Sequence, residues 1–124
     1  MNKIAKISIL LDMYGNLLTE KQQDVMDLYY NYDLSLGEIA ENRHISRQGV
    51  RDLIKRGEDT LLDAEDKLGF FDKWYNLSND LDVLVSKFER IYMKCTESDI
   101  DCYNNIQEDI LDIKRQLTKI INTI

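Results

Sequence analysis

Proline is absent from the 124 residues, and only five of them are glycine. Nothing in the chain therefore breaks a helix by removing a backbone donor. Metal ligands are scarce too. There is one histidine, and the two cysteines, Cys95 and Cys102, lack metal-ligand spacing, so a zinc site is not expected. Both thiols are read as reduced, with a disulfide between them as the minor alternative. Apolar runs are short, Ile9-Leu10-Leu11 being typical of the longest, which excludes a bilayer-spanning segment. No signal peptide opens the sequence, so the expected location is cytoplasmic. The chain also has no nucleophile–base pair, phosphate loop or cofactor fingerprint. The carboxylates after residue 58 are scattered over outer helix faces and not paired for acid–base work. We read the protein as a non-enzyme that needs no cofactor or metal.

What is present is helix chemistry. Ile4, Ile7, Leu10, Leu11 and Tyr14 mark a first amphipathic helix that closes near Gly15. Thr19 and Gln22 form a capping box, and the helix after it carries Val25, Met26, Leu28, Tyr29 and Tyr32. The tyrosine cluster has the spacing of core and rim. Ser35 and Glu38 form a second capping box. Ile39 and Ala40 give that short helix its buried side, with alanine small enough for a second helix to cross closely. Asn42-Arg43-His44 is a polar break with an exposed histidine, Ile45 is expected to plug the core from the turn, and Ser46 is a good N-cap for the next helix. Residues 35–57 thus have the layout of a helix-turn-helix.

At about 100° per residue, the helix begun at Ser46 turns Val50, Leu53, Ile54 and Gly57 to one side. Gln48, Arg51, Asp52 and Lys55 fall on the other, with Arg47 and Arg56 at the flanks. A recognition helix needs this sorting: Arg and Gln bond base edges, while Lys, Arg and a cap hydroxyl hold phosphates. The candidate nucleic-acid-binding residues are Arg43, Ser46, Arg47, Gln48, Arg51, Lys55 and Arg56. An ordinary helical hairpin with a solvated charged face is the competing reading. Net charge sharpens the contest. The chain carries −7, distributed as −2 over residues 1–34, +2 over 35–57 and −7 over 58–124. The only cationic stretch is therefore the candidate reading head, and phosphate contacts dominate affinity for nucleic acid.

Beyond that head, Val50, Ile54, Gly57, Leu61, Ala64 and Leu68 are spaced alternately four and three apart, a heptad seam, and Gly69 ends the helix. The spacing resumes in Phe70, Trp74, Leu77, Leu81, Leu84, Phe88, Ile91 and Cys95. After a polar break it returns in Tyr103, Ile106, Ile110, Ile113, Leu117, Ile120 and Ile124. The aromatic group Phe70, Phe71, Trp74 and Tyr75 is read as packing at a helix junction, with a partner-binding patch as the alternative. The expected fold is all-α: a helix-turn-helix domain over residues 1–69, then a coiled-coil-like antiparallel hairpin of long helices over 70–124. Spacing allows the seam to close within the chain or against a second copy. Long aliphatic seams on a small protein favour self-association, so a homodimer is expected.

Several blocks together carry a resemblance: Leu17-Leu18-Thr19-Glu20-Lys21-Gln22, Leu28-Tyr29-Tyr30, Asp33 through Glu41, Ile45-Ser46-Arg47-Gln48 and Ile54-Lys55-Arg56. In this order they resemble the YlxM-type family of small bacterial proteins over roughly residues 4–69. The resemblance implies a sigma-like fold, similar to the last DNA-reading region of sigma factors, and a regulatory helix-turn-helix role. The family's genes lie beside those for the signal recognition particle protein and its receptor. The resemblance thereby implies a part in that protein-targeting pathway, with DNA, particle RNA, or the particle protein or its receptor as partners. The alternative it leaves is a protein–protein adaptor that keeps the helix-turn-helix shape without specific DNA binding. Gly49, where alanine is expected, and Gly57 are the departures that soften the recognition helix.

Overall fold

The computed structural model describes the backbone of residues 1–95 and 100–123 and the side chains of 1–94 and 106–122. The side chains of Cys95, Cys102 and Tyr103, and all of Ile124, lie outside what is described, and with them the question of a cysteine pair and the outermost seam positions. The described residues form six α-helices: α1 (Lys3–Tyr14), α2 (Glu20–Tyr30), α3 (Leu36–Arg43), α4 (Arg47–Leu68), α5 (Phe70–Cys95) and α6 (Ile100–Thr123), with a single 3-10 turn at Gly15–Leu17. The fold is all-α. Contacts divide the chain into two compact units, Met1–Asp72 and Lys73–Ile124.

In the first unit α4 is the wall against which α1, α2 and α3 pack. Its buried edge is Val50, Ile54, Gly57, Leu61 and Ala64, the first five positions of the expected seam. The sixth, Leu68, is 49% exposed, because the helix ends one residue later at Gly69 in the left-handed conformation (φ 67°). Facing this edge are Ile7, Leu10, Leu11, Val25, Met26, Ile39 and Ala40, all buried. Ile4 departs from the expected stripe. It sits in the first turn of α1 and is 64% exposed. Gly57 is buried, and a Cβ there would collide with the sulfur of Met26, itself fully buried. The glycine therefore marks a close approach of α2 to α4 and no break in the helix.

Both expected capping boxes form. The Thr19 hydroxyl accepts from the Gln22 amide at 3.2 Å, and the Gln22 side chain accepts from the Thr19 amide at 3.0 Å. Ser35 and Glu38 repeat the arrangement at 3.1 and 3.3 Å. Another cap connects α4 to α5 within the first unit. The Glu65 carboxylate accepts from the amides of Phe71 and Asp72, each at 3.0 Å, and from the Tyr14 hydroxyl at 2.8 Å. That hydroxyl in turn accepts from the Phe70 amide at 3.1 Å. The first turn of α5 thus draws its N-terminal partners from α4 and α1. Phe71 is buried beneath Lys6, whose ammonium lies 5.2 Å from the ring centroid. Phe70, about half exposed, stacks on Tyr14. The junction is packing chemistry at both phenylalanines.

In the second unit α5 and α6 run antiparallel. Lys87 donates to Gln116 at 2.7 Å and Lys94 to Asp109 at 2.8 Å, so seven steps forward along α5 are seven steps back along α6. Leu84, Ile113 and Ile120 are buried between them, with Leu77 and Ile91 packed alongside. The seam expected as one stripe divides in two. Leu81, Phe88, Ile110 and Leu117 stay between 41% and 56% exposed. Two helices touch along a single line, so alternate seam positions turn sideways, out of the contact.

Burial alone would raise the Glu65 carboxyl, but the bonds from Tyr14, Phe71 and Asp72 and the nearby Lys6 charge outweigh it and hold it below its usual value. A carboxyl depressed in the folded state stabilises the fold above its unfolded value of about 4.5 and loses that contribution as pH falls. Glu65→Ala should cost about 1–3 kcal/mol at neutral pH, and its stability should fall less than that of wild type between about pH 5 and pH 3, both measured by urea unfolding. Gly57→Ala should also destabilise, by about 1–3 kcal/mol from overpacking against Met26, outweighing a helix-propensity gain of about 1 kcal/mol. Denaturant midpoints of the two variants give the comparison.

Candidate nucleic-acid interface

The corner that displays the candidate residues is built from backbone chemistry. Helix α3 ends at Arg43, and His44 adopts the left-handed conformation (φ 56°). The amides of His44 and Ile45 both turn back to the carbonyl of Ala40, the second at 3.1 Å. Histidine is among the few non-glycine residues enriched in that region, so the polar break ends as a tight C-cap. Ser46 then caps α4, its hydroxyl oxygen accepting from the Gly49 amide at 2.9 Å. Three residues separate the two helices, the spacing of a helix-turn-helix. Ile45 does not plug the core as expected. It is 40% exposed and borders a shallow apolar cleft with Val25, Gly49 and Leu53, because the left-handed turn at His44 swings it outward.

The solvent side of α4 carries Arg47, Gln48, Arg51, Lys55 and Arg56, all exposed. Among the described residues, no carboxylate lies within ion-pairing distance of the four cations. Arg47, Arg51 and Lys55 are successive fourth residues, so they line one strip about 12 Å long at 1.5 Å per residue. Arg47 has a defined bed: a Cβ on Gly37 would come within 2.8 Å of its guanidinium. The glycine in the first turn of α3 is what lets that side chain lie across it. Gly37 carried no role in the sequence reading, and spacing within either helix gives no hint of a contact ten residues away.

Three residues differ from the free donors that the sequence suggests. Arg43 is held in a two-pronged bond to Asp24 of α2, at 2.7 and 2.9 Å. The pair's hydrogen bonds and charge raise the guanidinium's pKa further, and its positive charge is already answered. Gln48 donates to Asp52 at 3.0 Å, which occupies both the amide and the one acid on the strip. Ser46 spends its acceptor on the cap, leaving its hydroxyl proton as the group that faces outward. The strip thus centres on Arg47, Arg51 and Lys55, with Arg56 beside it.

Comparison with known proteins agrees with this geometry. Residues 1–101 match the UPF0122 family, described as "Putative helix-turn-helix protein, YlxM / p13 like". The chain belongs to this family. A UPF0122 protein of Clostridium kluyveri is 47% identical over 92 residues, covering 74% of this chain and 83% of that protein. One from Desulforamulus reducens is 51% identical over 81 residues, 65% of this chain and 69% of its own. A third, from Clostridium novyi, is 42% identical over 119 residues, 96% of this chain and 92% of the relative. No helix among the described residues is long and apolar enough to cross a membrane.

Ser46→Ala removes the α4 cap and should cost about 1 kcal/mol, with Ser46→Asp restoring most of it. Thermal unfolding followed by circular dichroism measures both. An unchanged midpoint in Ser46→Ala would mean that the turn, and not the cap, sets where α4 begins.

Proposed function

We propose that the protein is a regulatory nucleic-acid binder of the signal recognition particle protein-targeting pathway. In this reading Arg47 and Arg51 approach the bases or the groove, Ser46, Lys55 and Arg56 hold phosphates, and Gln48 lies beside them tied to Asp52. Arg43, committed to Asp24, contributes mainly by fixing the end of α3. A homodimer would offer two such strips. The observation that carries the reading is the unpaired row Arg47, Arg51 and Lys55 on a capped helix at a sharp corner, in the only cationic segment of an acidic chain. Arginine without a carboxylate partner keeps its donors for phosphate or guanine. The assignment to the targeting pathway is supported by the resemblance to the YlxM-type family, and DNA and particle RNA are both candidate ligands.

Affinity should be modest and steeply dependent on salt. Three or four phosphate contacts give a slope of about −3 in log affinity against log salt on duplex DNA. Arg47→Ala combined with Arg51→Ala should reduce retention roughly 30-fold or more at low salt. Gly37→Ala should weaken binding less, by displacing Arg47 from its bed. Fluorescence anisotropy with a random DNA duplex and with a structured RNA, at stepped salt, measures all three. Wild type that fails to bind either probe at low salt removes the proposal.

The charge distribution favours a second reading, an adaptor for a basic protein such as the particle protein or its receptor. Asp12, Glu20, Asp24 and Asp27 line one groove between α1 and α2, and complementary potentials accelerate encounter. Under this reading, co-purification with particle components survives nuclease treatment and the loss of Arg47 and Arg51. Under the first, it does not.

A further inference from the structure

The second unit has more apolar surface than two helices can cover. Leu84, Ile113 and Ile120 occupy the line of contact. Beside that line, α5 exposes Leu81, Val85 and Phe88 at 46%, 54% and 56%, and α6 exposes Ile110, Leu117 and Ile121 at 54%, 41% and 68%. These are not scattered residues. On α5 they recur at intervals of four and three, and on α6 at seven and four, so each set forms one stripe. Phe88, Ile110, Leu117 and Ile121 border a common groove floored by Ile113. Both stripes therefore lie on the same side of the hairpin and make one continuous apolar face.

We infer that this face is covered by the same face of a second copy of the chain, so that two hairpins close into a four-helix bundle. The inference specifies the surface for the homodimer of the reading above and does not depend on what the cationic strip binds. Area is the first argument. Six side chains about half exposed, at roughly 150–200 Å² each, present on the order of 500 Å² of apolar surface. A standard interface takes ~800 Å² from each partner, about 65% of it apolar in homodimers, which is again roughly 500 Å². The face is thus of the size that one copy contributes to a stable pair, and contiguous apolar patches of this size often mark interaction surfaces.

Charge at the two edges is the second argument. Asp82 and Glu89 neighbour Val85 at i−3 and i+4 on the α5 edge, and both are exposed. Lys114 borders the groove on the α6 edge and is exposed. A two-fold axis parallel to the helices lays α5 of one copy over α6 of the other, acid edge on basic edge. The perpendicular alternative would lay acid on acid. Both arrangements make every stacked pair antiparallel, as within the hairpin, so the edge charges decide between them. A basic protein partner would meet no such match along the Lys114 edge.

The test is the solution mass of the full chain across a concentration series, by sedimentation equilibrium without nucleic acid. Wild type should weigh about twice its 14.6 kDa chain mass at micromolar concentration. Phe88→Lys and Leu117→Lys should each weaken the pair roughly 30-fold or more while helicity is kept. Val83→Lys, an equally exposed residue (45%) on the far side of α5, should leave it unchanged and serves as the folding control. Asp82→Lys with Glu89→Lys should weaken it, and adding Lys114→Glu should restore it. A monomeric wild type, or a dimer indifferent to both Phe88→Lys and Leu117→Lys, would overturn the inference. Loss of nucleic-acid binding with the dimer intact would count against the preceding proposal alone.

Discussion

Everything at the corner between α3 and α4 depends on one packed edge, the run Val50, Ile54, Gly57, Leu61 and Ala64 of α4 against α1, α2 and α3. A single helix thereby does two jobs. Its inner side supplies the wall of the core, and its outer side carries Arg47, Arg51 and Lys55. Burial is what makes the outer side useful. A helix with so much charge has little reason to hold a fixed rotation in water. Aliphatic burial, at about 25 cal/mol per Å², sets that rotation and so sets where the cations point. Gly57 is one close approach on this edge, where Met26 of α2 occupies the place a Cβ on α4 would take.

Acidic excess in the first unit is partly consumed in holding the fold. Asp24 answers Arg43, and Glu65 caps the start of α5 while accepting from Tyr14. Glu58 accepts from Tyr30 and pairs with Lys3 at 3.7 Å. Burial and the Glu58 contact together push the Tyr30 hydroxyl above its usual pKa. Carboxylates with these partners are held away from the strip. The negative total of the chain and an unpaired cationic row are therefore compatible features of one surface.

Much of this was legible in the sequence because it is local. Capping boxes at Thr19 and Ser35, the Ser46 cap and the stop at Gly69 each depend on residues three or four apart, and each formed. The buried edge of α4 followed from its 3.6-residue period. What spacing could not supply is contact between elements. The Arg43–Asp24 pair spans nineteen positions, the Tyr14–Glu65 bond fifty-one, and the bed of Arg47 on Gly37 crosses from one helix to the next. Ile45 misled for a related reason. Hydrophobicity said "inside", while the left-handed turn at His44, invisible to periodicity, turned it out. The heptad seam was read correctly as apolar, but a seam of eight positions on α5 and seven on α6 is wider than one line of contact. Half of it remained exposed.

The tie between Gln48 and Asp52 narrows what the strip can read. On an otherwise cationic face, Asp52 would repel phosphate, and Gln48 would be the residue best suited to adenine. Bonded to each other at 3.0 Å, they blunt both effects, so that under the proposed function recognition falls to arginine and lysine. Guanidinium and ammonium groups without an amide or acid reader discriminate by backbone shape and by guanine edges more than by a full base code. Screening then confines the interaction to the strip itself. At physiological salt a charge is felt over about 8 Å, so carboxylates farther off weaken long-range attraction without cancelling a contact already made. A polyanion meeting this corner is therefore held by few, short-range bonds. That combination favours ligands whose backbone geometry places phosphates to fit a row about 12 Å long, over those distinguished by sequence alone.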